Sequence, residues 1–210
     1  VTEKSNTPDF STDPESVGKK SNPSIDIVDK DFRYPQVWRT ALSLDYTHEG
    51  LKLGLDADYS KGLNNIFIEN HAAADNGERV YFGGEGSKTS STYYNTTTSE
   101  YSAVYRLSNT DKGYSWSATA RLEYDFAGMV NGLRFNASYT YAQSKSVNDG
   151  ISAQSSSNWG RTYAVDSNNP QLSNSVYEFP HKVVASLSYN RRHGKHGTNV
   201  MLLYNGHSGE

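Results

Sequence analysis

The sequence predicts an all-β protein: an antiparallel meander of about six long strands with two long loops, forming part of a transmembrane β-barrel. Three observations predict it. First, apolar and polar residues alternate with a period of two in four segments. Trp38, Thr40, Leu42, Leu44 and Tyr46 alternate with Arg39, Ala41, Ser43 and Asp45; Leu51, Leu53, Leu55, Ala57 and Tyr59 alternate with Lys52, Gly54, Asp56 and Asp58. Trp116, Ala118, Ala120, Leu122 and Tyr124 alternate with Ser117, Thr119, Arg121 and Glu123; Leu133, Phe135, Ala137, Tyr139 and Tyr141 alternate with Arg134, Asn136, Ser138 and Thr140. Second, each apolar face covers about nine residues, enough for a tilted strand to cross a bilayer, and ends in aromatics where an interfacial girdle would lie. Third, the connections alternate short and long, as in barrels with short periplasmic turns and long outer loops.

The elements follow in order. Residues 1–35, rich in Ser, Asp, Asn, Lys and Pro, read as an extended loop with Ile25, Ile27 and Phe32 as anchor points. A first strand spans about 36–47, and His48-Glu49-Gly50 turns the chain. A second strand starts at Leu51 and runs to about Asn70, its far half more polar. Residues 71–112 read as a long polar loop holding a hairpin between Val80–Phe82 and Tyr101–Leu107, with the latter not spanning. Strands at about 113–125 and 131–145 flank the turn Phe126 to Gly132. Residues 146–180 form the second long loop. Strands at about 181–190 and 198–205 flank a turn from Arg191 to Gly197. The domain division is therefore 1–35 as loop segment and 36–210 as partial barrel.

Composition bounds the function. The chain has 210 residues, formal charge −3, sixteen Tyr, two Met and no Cys. Mean hydropathy is −0.75. No apolar run comes near the roughly 18 residues of a spanning helix, but alternating strands hide from such averaging. Near-neutral charge without a basic stripe argues against nucleic acid as partner. Missing Cys fits an exported bacterial protein. The chain opens without Met or signal peptide and both ends look cut, so a fragment of a larger protein is expected. Six strands close no barrel and an open edge in lipid leaves backbone groups unpaired, so the rest of the barrel, or a second copy, must cover the edges.

Catalytic chemistry finds no support: there is no nucleophile elbow, phosphate loop or His-Glu-x-x-His, and the chain is expected to be no enzyme and to need no cofactor. His193 and His196 sit three apart in a glycine-containing turn, and His207 is remote, so a metal site lacks its third donor. Asp75-Asn76-Gly77-Glu78 and the cluster Asp26, Asp29, Asp31 read as turns rather than calcium loops. The inward set Arg39, Asp45, Asp56, Asp58, Arg121, Glu123, Arg134 and Lys182 mixes signs; it either lines a lumen or forms register-setting cross-strand pairs, the plainer reading. The last strand breaks the alternation, since Met201 and Leu203 are apolar opposite Val200, Leu202 and Tyr204. Burial on both faces, or packing against an internal plug, would explain it.

Several ordered stretches resemble a known family. Phe32-Arg33-Tyr34-Pro35-Gln36-Val37-Trp38-Arg39-Thr40, Asn109-Thr110-Asp111-Lys112-Gly113-Tyr114-Ser115, Ala137-Ser138-Tyr139-Thr140-Tyr141, Ser157-Asn158-Trp159, Pro180 to Tyr189 and Tyr204 to Gly209 resemble, in that order, segments of TonB-dependent outer-membrane receptors of the Oar-like type, common in Bacteroidetes. The resemblance spans about residues 30–209. It implies a late part of a 22-stranded barrel in the cell outer membrane, filled by an N-terminal plug and powered by the TonB complex through regions absent here. It further implies import of a bulky nutrient, peptide or otherwise. Expected partners are outer-membrane lipid, the remaining barrel and plug, the TonB complex and the solute. The alternatives are a soluble all-β binding or adhesion module, such as a jelly roll, and a passive porin.

The long loops carry Tyr81, Phe82, Tyr93, Tyr94, Tyr101, Tyr105, Trp159, Tyr163 and Tyr177. Aromatic rings offer large contact area at little entropic cost. Tyr93, Tyr94 and Trp159 are the candidate solute-contact residues; packing of the loops against one another is the alternative.

Overall fold

The structure is a computed structural model that describes residues 22–82, 89–96, 100–162 and 164–208. Its elements are β1 (Ser24–Val28), β2 (Val37–His48), β3 (Leu51–Gly62), β4 (Asn65–Asn70), β5 (Ala73–Phe82), β6 (Thr89–Thr96), β7 (Ala103–Thr110), β8 (Tyr114–Asp125), β9 (Leu133–Ser146), α1 (Ser155–Arg161), β10 (Ser173–Asn174), β11 (His181–His193) and β12 (His196–His207). The protein is thus mostly β, with antiparallel sheets and one short helix.

The six long strands form one meander in the order β2-β3-β8-β9-β11-β12, every pairing antiparallel. Among the described residues it does not close: β2 and β12 are its two edges. Local chemistry sets its turns. Glu49 and Gly50 take positive φ of 43° and 85°, the signature of the two-residue I′ hairpin whose twist matches the strands. A side chain at Gly50 would also meet the Asp125 carbonyl oxygen at 2.9 Å. The β11–β12 turn shrinks from the expected Arg191 to Gly197 to Gly194-Lys195, with His193 directly opposite His196. Strands continue to these tips because cross-strand pairing satisfies backbone groups that a longer loop would leave to water.

The second strand ends earlier than expected. β3 stops at Gly62, and β4 leaves the main sheet to pair with β7. The register nevertheless continues unbroken: Lys61 faces Tyr114, and after three residues on each side Asn65 faces Thr110. The β3–β8 ladder is therefore one ribbon with a symmetric bend. Gln36 holds the bend by accepting the Leu63 N–H at 2.8 Å, and Asn65 Nδ2 donates to the Lys112 carbonyl at 2.9 Å.

The expected hairpin of Val80–Phe82 with Tyr101–Leu107 does not form. β5 pairs with β6, while β7 lies between β4 and β1. β7 stays outside the meander, as the alternation of short and long connections requires. Of the segment read as loop 1–35, residues 24–28 form β1, parallel to β7. Of the loop 146–180, residues 155–161 are helical and Ser173–Asn174 pair with β9. β1, β7, β4 and α1 form a small cap beyond the loop end of the sheet. Buried apolar residues concentrate there: Ile68, Ala72 and Ala103, with Val147 just past β9.

Candidate functional site

Registered cross-strand partners share a face, so the register of the meander sorts its side chains onto two faces. One row runs Leu44–Leu55–Ala120–Tyr139–Val183; the next runs Tyr46–Leu53–Leu122–Ala137–Ala185–Tyr204; a third runs Leu51–Tyr124–Phe135–Leu187–Leu202. Leu42, Leu44, Leu53, Leu55, Leu122, Phe135 and Leu187 thus lie on one continuous face. It is bare: Leu44 is 61% exposed, Leu55 59% and Leu202 67%. Rings border it. Near the loop end Trp38 meets Tyr59 edge-on at 6.0 Å and Trp116 meets Tyr141 at 5.4 Å. Near the turn end Tyr124 meets Phe126 at 4.6 Å.

The opposite face is polar, and it carries the whole expected inward set. Its centre is the row Asp45–Gly54–Arg121. Glycine inside a strand normally weakens it, but here it gives room: a side chain at Gly54 would sit 2.8 Å from the Arg121 guanidinium carbon. Arg121 lies across β3, donating from Nε to Asp56 Oδ2 at 2.5 Å and from Nη2 to Asp45 Oδ1 at 3.1 Å. Ser43 Oγ donates to Asp56 at 2.6 Å. Lys52 pairs with Glu123 and Arg134 with Asp125, each at 3.1 Å. Asp45, Gly54, Arg121, Lys52 and Glu123 line an open depression of about 370 Å³. The pairs are solvent-exposed and set register more than stability. Met201 and Leu203 of β12 interrupt this polar face, 60% and 67% exposed.

The cap is built around two asparagines. Asn70, buried at the end of β4, accepts through Oδ1 from the N–H groups of Ala72 and Val104, both at 3.1 Å. Asn168 presents its amide to the Asn70 backbone, and its Oδ1 also accepts from Trp159 Nε1 at 2.8 Å. The Asp166 carboxylate shapes this loop by accepting the Asn168 and Asn169 N–H groups. Trp159 also packs on Tyr105, ring centres 6.1 Å apart. Burial, helped by the Asp26 charge, pushes the Tyr105 phenol above its ordinary pKa. On the far side of β7, Arg106 pairs with Asp29 and Glu69. The Asp31 N–H first, and the Arg106 guanidinium second, hold the Asp29 carboxyl below its ordinary range; the same Asp29 contact raises Arg106.

Of the candidate solute-contact residues, Trp159 is thus engaged in cap packing. Tyr93 and Tyr94 lie on β6, Tyr94 opposite Asp75, and their side chains lie outside the described residues, as do those of Tyr81, Phe82 and Tyr163. Tyr177 is 64% exposed. Residues 75–78, read as a turn, instead fall within β5, where the pairing with β6 shifts register between Asp75 and Arg79 because the extra residues bulge out of the ladder. Sequence reasoning missed Asn70 and Asn168; Asp166-Ser167-Asn168-Asn169 signals a turn, but nothing local signals a partner 98 residues away. Among the described residues no group of three or more His, Asp or Glu could hold a metal ion. No protein-family model, curated protein or solved structure matches this chain.

Proposed function

We propose that this chain is barrel wall of a TonB-dependent importer in the outer membrane, which binds and passes a bulky solute without covalent chemistry. The observation that carries the reading is the apolar face, continuous over six strands, uncovered, ring-bordered and backed by a polar face.

The stagger of the strands supports it. The row through Leu51, Tyr124, Phe135 and Leu187 ends at the β2–β3 turn, whereas the β11–β12 hairpin continues six residues beyond it, from Leu187 to His193. At roughly 3.3 Å per residue and 4.8 Å per strand spacing, that slide across four to five spacings corresponds to a tilt of about 40–45°. Barrel strands tilt by roughly 35–45°. Trp116 and Tyr124, eight residues apart on one face, are then separated by about 20 Å along the membrane normal, close to the roughly 25 Å apolar band between girdles. All short turns lie at one end and both long excursions at the other. A soluble sandwich would stack a second layer on the apolar face; among the described residues none lies there.

Single-cysteine labelling of the full-length protein in membranes tests the reading, helped by the absence of Cys from these residues. Cysteines at Leu44 and Leu55 should react with a lipid-soluble maleimide and resist a water-soluble one, with the reverse at Ser43 and Asp56. Labelling without this alternation, or a protein found in the aqueous fraction, rejects it. Solute uptake should also stop in cells lacking TonB; uptake that persists points to the passive porin.

A further inference from the structure

A cleft of about 300 Å³ opens on the polar face at the loop end. Its floor is Asp58 and Ser60 of β3 with Ser115 and Ser117 of β8; its wall is the segment leading into β11, with Tyr177 and Glu178. That wall is fixed in place. The Ser175 N–H donates to the Ser144 carbonyl at 2.9 Å, and Glu178 Oε2 accepts the Ser144 N–H at 2.7 Å. The lining holds two carboxylates and no Lys, Arg or His. Elsewhere on this face acids are matched by bases: Asp45 and Asp56 by Arg121, Glu123 by Lys52, Asp125 by Arg134. Asp58 has no ion pair or hydrogen bond among the described residues, although Arg39 stands one strand away opposite Ser60. A carboxylate left open among hydroxyls and a bare tyrosine ring attracts a donor-rich cation, through charge-assisted hydrogen bonds and contact with the ring face.

We infer that this cleft is a binding site for an organic cation bearing an ammonium or guanidinium group, with Asp58 as its counter-ion. The inference deepens the import reading and rests on it for the meaning of the polar face. The test is calorimetric titration of the full-length protein in detergent with trilysine, using fully acetylated trilysine and triglutamate as controls. Trilysine should bind, and more weakly as salt is added; the two controls should not. Asp58→Asn should weaken binding by at least about tenfold, as loss of a charged partner does, while Asp58→Glu keeps most of it. Tyr177→Ala, an exposed position whose loss cannot unfold the sheet, should weaken it several-fold. Unaltered affinity in Asp58→Asn, equal affinity for triglutamate, or no binding of trilysine overturns the inference. The labelling pattern reports the membrane reading separately, since described strands build the cleft whether or not that reading fails.

Discussion

The side-chain amide of Asn168 pairs with the backbone of Asn70 as a neighbouring strand would. Asn168 Oδ1 accepts the Asn70 N–H at 2.8 Å and Asn168 Nδ2 donates to the Asn70 carbonyl at 3.0 Å. The free edge of β4 is thereby capped at its last residue. An unsatisfied backbone group there would cost about 1–3 kcal/mol, and an unpaired edge invites association.

Asn168→Ala should therefore loosen the cap and spare the meander. We expect a local loss of about 1–3 kcal/mol, read as faster hydrogen exchange at the Asn70 and Val104 amides. Amides of β3 and β8 should keep their protection. Equal loss of protection in both regions would mean that cap and sheet unfold as one unit.

Trp159→Ala removes both the hydrogen bond to Asn168 and the ring on Tyr105, so any loss of solute binding would be confounded with loss of the cap. Tyr93→Ala with Tyr94→Ala is the cleaner probe of solute capture. Binding should fall while the labelling pattern and the cap amides stay unchanged. Unaltered binding in that double variant removes β6 from the capture surface.

On the apolar face, cost should follow depth. Leu55, midway between Leu51 at the turn and Tyr59 at the aromatic border, is the most central position of β3. Leu55→Arg should cost about 2–4 kcal/mol in lipid vesicles, and Leu51→Arg about 0–1 kcal/mol near the interface. Denaturant titration of the full-length protein measures both. A flat profile along β3 would contradict the assigned membrane depth.

Gly54→Val should cost more than its volume suggests. The added side chain occupies the space of the Arg121 guanidinium and forces it away from Asp45 and Asp56. Arg121→Ala in the same background should then add little, because the bridge is already broken. A double-mutant cycle measures the coupling, and full additivity would show that Arg121 does not need the glycine.

The contact of β1 with β7 should weaken in acid. Asp29 is held below its ordinary value of 3.8, so its charged form is favoured by the fold. That contribution is fully present above about pH 4, the unfolded value, and is lost as pH falls through the lower folded value. Hydrogen exchange of the β1 amides, corrected for the intrinsic rate, should show reduced protection at low pH. Asp29→Asn should lack the step. A step that persists in Asp29→Asn assigns it to Asp26 or Glu69 instead.

The period-two pattern made four of the long strands, β2, β3, β8 and β9, and their two faces legible, because each is apolar on one side only, whereas β12 is apolar on both. Leu42, Leu55, Leu122 and Leu187 could be placed together from sequence because parity along a strand is local. Asp56 and Arg121 could be placed on one face, but not in contact, since register depends on pairing partners 65 residues apart.

The strand pattern, the faces of the alternating strands and the succession of short and long connections can be read from the order of residues alone. Each follows from side-chain parity or from turn residues such as Glu49-Gly50, within a few positions of chain. The bending away of β4 with β7, the parallel docking of β1 on β7 and the pairing of Asn168 with Asn70 emerge only in the folded chain. Those short segments bury only a few small or single apolar side chains, such as Ile68 and Ala103, so their partners are selected largely by backbone hydrogen bonds, for which every residue offers nearly the same donor and acceptor.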